Sequence, residues 1–324
     1  MSELVTRPPF DPEVAAALED RRDDVVTGLA PEQIDGLRAA ADPPPSDETL
    51  TLGGRFELSE LTVPGAAGAP PVPLVLLRPV ATSGSVPVLL HVHGGGLIAG
   101  CARADLLHTV ELAAATGCAV ASVDYRLAPE HPYPAAVQDV HAGLLGLVDQ
   151  AEQLGLDPER VVLLGISAGG GLAVAASLLA RDQDGPRPAG LLAICPMLDD
   201  RSDSASAHQM QGMGAWDRTA NATGWQAYLP GRAGTDDVPG YAAPARELDL
   251  SVLPPTFLDV GSAETFRDEV VAFASRMWAC GGSAELHVWP GGVHGFDFLA
   301  PEAAVSRAAR AAREDWLRRL LARL

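Results

Sequence analysis

Residues 161–180 read VVLLGISAGGGLAVAASLLA. Four apolar residues that fit a buried strand run into Gly165-Ile166-Ser167-Ala168-Gly169, and an alanine- and leucine-rich helical pattern follows without a gap. The small residues around the serine permit a tight strand-to-helix turn that lifts the Ser167 hydroxyl above a sheet. A helix N-terminus at that point favours negative charge on a reacting oxygen. Ser167 is therefore the candidate nucleophile, and its setting predicts an α/β architecture.

Outward from this turn the chain alternates in the same way. Eight short β-rich runs are legible: RFELSELTV, VPLVLLRP, VPVLLHVH, CAVASVDYRL, VVLLGIS, LLAICPML, PTFLDVGS and AELHVWP. Between the later ones lie helical patterns at 104–116, 135–154, 170–182, 265–279 and 303–324. Strands alternating with helices imply right-handed crossovers and a mostly parallel eight-stranded sheet flanked by helices. The opening strands, which lack intervening helices, should form an antiparallel edge. Residues 1–48, helical and ending in ADPPPSD, form a prefix, and 49–324 the main domain. The segment 203–240 breaks the rhythm and reads as an excursion above the sheet.

Three further sites accompany Ser167. His93-Gly94-Gly95-Gly96 follows a strand, and consecutive glycines make sense where backbone N–H groups must approach a ligand closely. Gly95, Gly96 and Ala168 would then supply three donors to an oxyanion, with His93 and His91 structural. His294, in GGVHGF after the last strand, is the candidate general base, whereas His287 lies within a strand. Glu264 in GSAETFRDE is the leading candidate for the acid that orients His294. Asp268, Glu269, Asp259, Asp199 and Asp200 remain alternatives. The order Ser, acid, His is the one this kind of sheet uses.

Composition bounds the partners. The chain has 324 residues, 47% of them hydrophobic, and a net charge of −19. Such a charge opposes binding to nucleic acid or to an anionic membrane surface, and no apolar run is long enough to span a bilayer. The first residues lack the basic start and apolar run of an export signal, so a cytoplasmic location is expected. The four cysteines are scattered and fit reduced thiols better than disulfides. All 23 basic residues are arginine. The last helical pattern is amphipathic and is expected to pack on the sheet.

Together these motifs resemble the hormone-sensitive lipase family of bacterial carboxylesterases, also called family IV or the alpha/beta hydrolase fold-3 group. The resemblance covers about residues 86–300. It rests on HGGG at 93–96, DYRLAPEHPYP at 124–134, the GxSxG turn with Gly170, and HGF at 294–296. It implies an α/β-hydrolase fold with a helical cap from residues 1–48 and 203–240, and hydrolysis of small short- to medium-chain acyl esters through an acyl-enzyme. It implies no metal or organic cofactor, oxyanion donors at Gly95, Gly96 and Ala168, and a homodimer. Trp216, Trp225 and Tyr228 would line the pocket of such a cap. Amidase, lactonase or acyltransferase chemistry on the same residues is the alternative, and a non-catalytic ligand-binding protein a more distant one. Two departures stand out: Ile166 replaces the polar residue common before the serine, and Glu264 stands where Asp is usual.

Overall fold

The computed structural model describes residues 6–22, 25–82 and 84–324; the remainder of the predicted 1–48 prefix and Ser83 lie outside the described residues. Eight strands form one sheet: β1 (Phe56–Val63), β2 (Val72–Pro79), β3 (Val86–Val92), β4 (Ala119–Val123), β5 (Leu156–Ile166), β6 (Gly190–Ile194), β7 (Thr256–Gly261) and β8 (Ala284–Trp289). Their order is β1-β2-β4-β3-β5-β6-β7-β8. β1 and β2 pair antiparallel, and β2 joins β4 antiparallel. From β4 to β8 every pairing is parallel. This is the expected α/β-hydrolase sheet, with its antiparallel edge at the start of the chain.

The helices are α1 (Pro12–Asp20), α2 (Ile34–Ala40), α3 (Asp47–Leu50), α4 (Leu106–Thr116), α5 (Ala135–Asp149), α6 (Ala151–Leu154), α7 (Ala168–Asp182), α8 (Ala205–Gln209), α9 (Arg218–Tyr228), α10 (Arg267–Ala279), α11 (Phe296–Leu299) and α12 (Ala304–Leu321). Pleating sends alternate residues of the central strands to opposite faces. Leu163 and Leu90 pack with residues of α5, α7 and α10, while Leu164 and Leu89 pack with Leu106 and Val110 of α4 and Trp316 and Leu317 of α12. Both faces are thus covered, and β3, fully buried along its length, is apolar apart from His91, whose ring nitrogens face Ser122 and Asp105. The terminal helix packs as expected: its apolar stripe, Trp316, Leu317 and Leu320, closes the second face.

Above the C-terminal ends of the strands, the N-terminal segment meets the excursion after β6. Val26 pairs with Trp216 as a short parallel bridge, its N–H donating to the Ala215 carbonyl at 3.1 Å. Asp217 caps α9 and also accepts from the Gly28 N–H at 3.0 Å. Thr223 Oγ1 donates to the Leu29 carbonyl. Arg38 reaches down to the Ile98 and Ala128 carbonyls and pairs with Glu130, which ties the prefix to the loops of the main domain. Among the described residues, no helix is long and apolar enough to cross a membrane.

Candidate active site

β5 ends at Ile166, and Ser167 follows with φ 56° and ψ −118°, a conformation that non-glycine residues rarely hold. The Ser167 N–H donates to the Ile194 carbonyl at 2.8 Å, which fixes the turn against β6. The turn is also pressed against β3: a Cβ on Gly169 would stand 2.0 Å from the Val92 carbonyl oxygen, so only glycine fits there. The serine side chain points away from the sheet at the N-terminus of α7.

His294 lies on the loop after β8, and Glu264 on the loop between β7 and α10. His294 Nε2 is 2.9 Å from Ser167 Oγ, and His294 Nδ1 is 3.1 Å from Glu264 Oε1. An ionised carboxylate only accepts, so Nδ1 carries the proton and Nε2 presents its lone pair to the serine hydroxyl. The other Glu264 oxygen accepts from the Gly261 N–H at 2.9 Å, which fixes the carboxylate in a fully buried position. Phe266 meets the His294 ring edge-to-face at 5.0 Å. Three sequence-distant residues are thus joined through hydrogen bonds across β5, β7 and β8.

The alternative acids are engaged elsewhere. Asp268 accepts from the Ser206 N–H and pairs with Arg267. Glu269 accepts from the Leu198 and Asp199 N–H groups, and its burial pushes its carboxyl well above the usual range. Asp259 bonds Arg313 and Trp289, Asp199 bonds Arg201, and Asp200 bonds Arg246. His287 stacks between Phe257 and Trp289 in the sheet edge. His93 stacks on Tyr125 at 4.0 Å, buried, and burial lowers its pKa.

The glycine loop faces Ser167. Gly95 and Gly96 hold φ of 112° and 61°, and their N–H groups meet no acceptor among the described residues. A Cβ on Gly96 would stand 2.4 Å from the Trp216 ring. The Ala168 N–H is among the first four of α7, which no carbonyl within the helix can satisfy. A cleft of about 340 Å³ connects these groups, walled by Val26, Leu37, Ala99, Ile166, Trp216 and Phe298, with Ser167 and His294 at its floor. Of the three aromatic residues expected to line it, Trp216 does. Trp225 instead borders a separate surface cavity beside Arg218, and Tyr228 packs edge-on against Tyr133 at 5.8 Å. Both follow the buried face of α9 and stabilise the excursion itself.

Two residues at the site escape a reading of the sequence. Asp105 sits at the start of α4 without capping it; its Oδ2 instead accepts from the Gly94 N–H at 2.8 Å. Its other oxygen is 3.2 Å from His91 Nε2. The Ser122 hydroxyl donates to the Ala102 carbonyl, so its oxygen accepts from His91 Nδ1–H at 2.7 Å. A line of contacts therefore runs from Ser122 through His91 and Asp105 to the glycine loop. Burial alone would raise the Asp105 pKa, but His91 beside it holds the carboxyl below its ordinary value. The second residue is Cys195, buried after β6 with φ 38°; its Sγ, a Glu264 oxygen and a His294 ring nitrogen all lie within 4.8 Å of one another. Neither residue lies in a motif that could have signalled it.

A covered parallel sheet with a serine on a strained turn, a histidine and a buried carboxylate at its strand ends defines a class, the α/β-hydrolases. Residues 89–298 match the family model described as alpha/beta hydrolase fold, and the chain belongs to this family, as its resemblance to the hormone-sensitive lipase group implied. It is 34% identical over 307 residues to carboxylesterase NlhH of Mycobacterium tuberculosis, covering 93% of each chain. It is also 34% identical over 254 residues to an acetyl-hydrolase of Streptomyces hygroscopicus, covering 76% of this chain and 82% of the other. Among solved structures, a bacterial heroin esterase superposes with a TM-score of 0.86 at 37% identity, over 96% of this chain and 98% of its own. Esterase LipW from Mycobacterium marinum superposes with a TM-score of 0.80 at 33% identity, over 98% and 99%. The protein is a carboxylic ester hydrolase.

Proposed function

We propose that ester hydrolysis runs through a Ser167–His294–Glu264 triad and an acyl-enzyme. The observation that carries this is the unbroken hydrogen-bond chain from the serine hydroxyl through both ring nitrogens to a buried carboxylate. His294 Nε2 takes the Ser167 proton as Oγ attacks the ester carbonyl, and Glu264 stabilises the imidazolium that forms. The N–H groups of Gly95, Gly96 and Ala168 receive the oxyanion, in the low-dielectric cleft where such donors act most strongly. The alcohol leaves with the proton from His294, and a water activated by the same nitrogen then cleaves the acyl-enzyme.

We further propose that residues 1–48 and 203–240 together form a cap on the domain 49–324, and that the substrates are short- to medium-chain acyl esters. Support comes from the cleft walls: Val26 and Leu37 come from the first segment and Trp216 from the second, and the lining is mostly apolar. The test is a rate series on p-nitrophenyl esters from acetate to laurate. Wild type should cleave the short members, and Ser167→Ala should lose turnover by about 10³-fold or more while keeping its far-ultraviolet circular dichroism. Retained activity in Ser167→Ala would overturn the triad. Trp216→Ala should move the preferred chain length upward, because the indole closes the cleft beside Gly96; an unchanged length profile would remove Trp216 from the substrate wall.

A further inference from the structure

We propose that Cys195, Glu264 and His294 form a zinc-capture site that switches the enzyme reversibly off. The donor set is one thiol, one carboxylate and one imidazole, with ligand atoms within 4.8 Å of one another. Zn²⁺ takes these three ligand types tetrahedrally, at about 2.3 Å to sulfur and about 2.0–2.2 Å to nitrogen and oxygen, so shifts of about an ångström close the site around an ion. Two features place the thiol there. Cys195 holds an unusual φ of 38°, fixed by its N–H donating to the Asp259 carbonyl at 2.8 Å. The mechanism gives the thiol no role, and its burial beside Glu264 pushes its pKa well up, so it is no competing nucleophile.

His294 lines the cleft while Cys195 and Glu264 lie buried behind its ring, so the proposed route for an ion is past the histidine from the substrate side. A net charge of −19 raises the local concentration of cations at the protein surface. The nitrogen facing Glu264 is Nδ1. An ion there replaces the Nδ1 proton, which moves to Nε2, while the thiol proton leaves to solvent as the Zn–S bond forms. A coordinating thiol is deprotonated outright by the metal's own charge. Thiolate and glutamate then balance the dication, and Nε2 becomes a donor towards Ser167 that no longer accepts its proton. Loss of turnover rests on His294 as the base; binding of the metal does not.

The experiment uses Zn²⁺ for inhibition and Co²⁺ as a spectroscopic probe, on wild type, Cys195→Ser, Cys195→Ala and Ser167→Ala. Hydrolysis of p-nitrophenyl acetate by wild type should fall with added zinc and return with EDTA, and the two Cys195 variants should turn over yet need at least about tenfold more zinc. Co²⁺ should give a thiolate-to-metal charge-transfer band in wild type and in Ser167→Ala, which keep all three ligands, and none in the Cys195 variants, which retain the other three cysteines. Equal zinc sensitivity with and without Cys195, or no cobalt band in wild type, would overturn the site. Because the band needs no turnover, its presence in Ser167→Ala tests the site even if the triad assignment fails.

Discussion

Ser167 stands in a conformation that its side chain disfavours, and the surrounding bonds hold it there: the N–H to Ile194 and the packing of Gly169 on Val92. Strain of this kind persists only where neighbours over-determine it. The residues opposite are held as firmly, and their variants have calculable effects. Glu264→Gln keeps the shape but favours the wrong imidazole tautomer, so kcat should fall by about 10⁴-fold, read as initial rates on p-nitrophenyl acetate. Asp105 is a positioning residue: Asp105→Ala frees the Gly94 N–H and loosens the loop behind Gly95 and Gly96. Its kcat should drop about a hundredfold with KM little changed; a rise in KM alone would assign Asp105 to binding instead. Ser167, His294 and Glu264 are legible in sequence because each sits on a glycine-flanked or post-strand loop in a fixed order. Asp105 and Cys195 are not, because their partners lie at distant positions that no local pattern reveals.

Among the elements, all eight strands appear where the β-rich runs placed them: inner strands such as β4 and β6 are buried on both faces and almost wholly apolar, while the edge strands β1 and β8 keep polar residues on partly exposed faces. The excursion is harder to read. Its two short helices follow from local caps, Ser204 for α8 and Asp217 for α9, yet which α9 face is buried depends on the N-terminal segment that packs over it. That is why Trp225 and Tyr228 lie within the excursion and away from the cleft. α12 is anchored to the sheet by a buried ion pair as well as by its apolar stripe. Arg313 donates to Asp259 on β7 at 2.8 Å and also pairs with Asp297 of α11, the turn directly after the His294 loop. Arg313→Leu would leave two buried carboxylates without a cation and should destabilise the protein by about 3–5 kcal/mol, measured by urea unfolding.

For the molecule as a whole, acid sensitivity follows from histidine burial. His93, His108 and His141 have pKa values lowered by burial from an ordinary 6.5. As pH falls below about 6.5, the unfolded chain takes up protons that the folded one refuses, so stability drops with falling pH until the folded values are reached. Thermal scans from pH 8 to pH 5 should show a declining melting temperature; a flat profile would contradict that assignment. β8 ends the sheet with Val288 38% exposed, and Trp278 of α10, 48% exposed, donates its Nε1–H to the Ala284 carbonyl at the start of the strand. An open strand edge of this kind favours pairing between copies, and light scattering should report a dimer; a monomer at micromolar concentration would refute it.

The parallel run β5 to β8 places Ser167, Glu264 and His294 at one end of the sheet, so the opposite end carries no reacting group. There the α7–β6 connection exposes Asp182, Gln183, Asp184 and Arg187. The sequence holds no lysine, so an amine-reactive support has no side chain to seize. A single Asp184→Lys substitution would install a handle at the idle end. An enzyme immobilised through that side chain would present the mouth of its cleft outward to the solution.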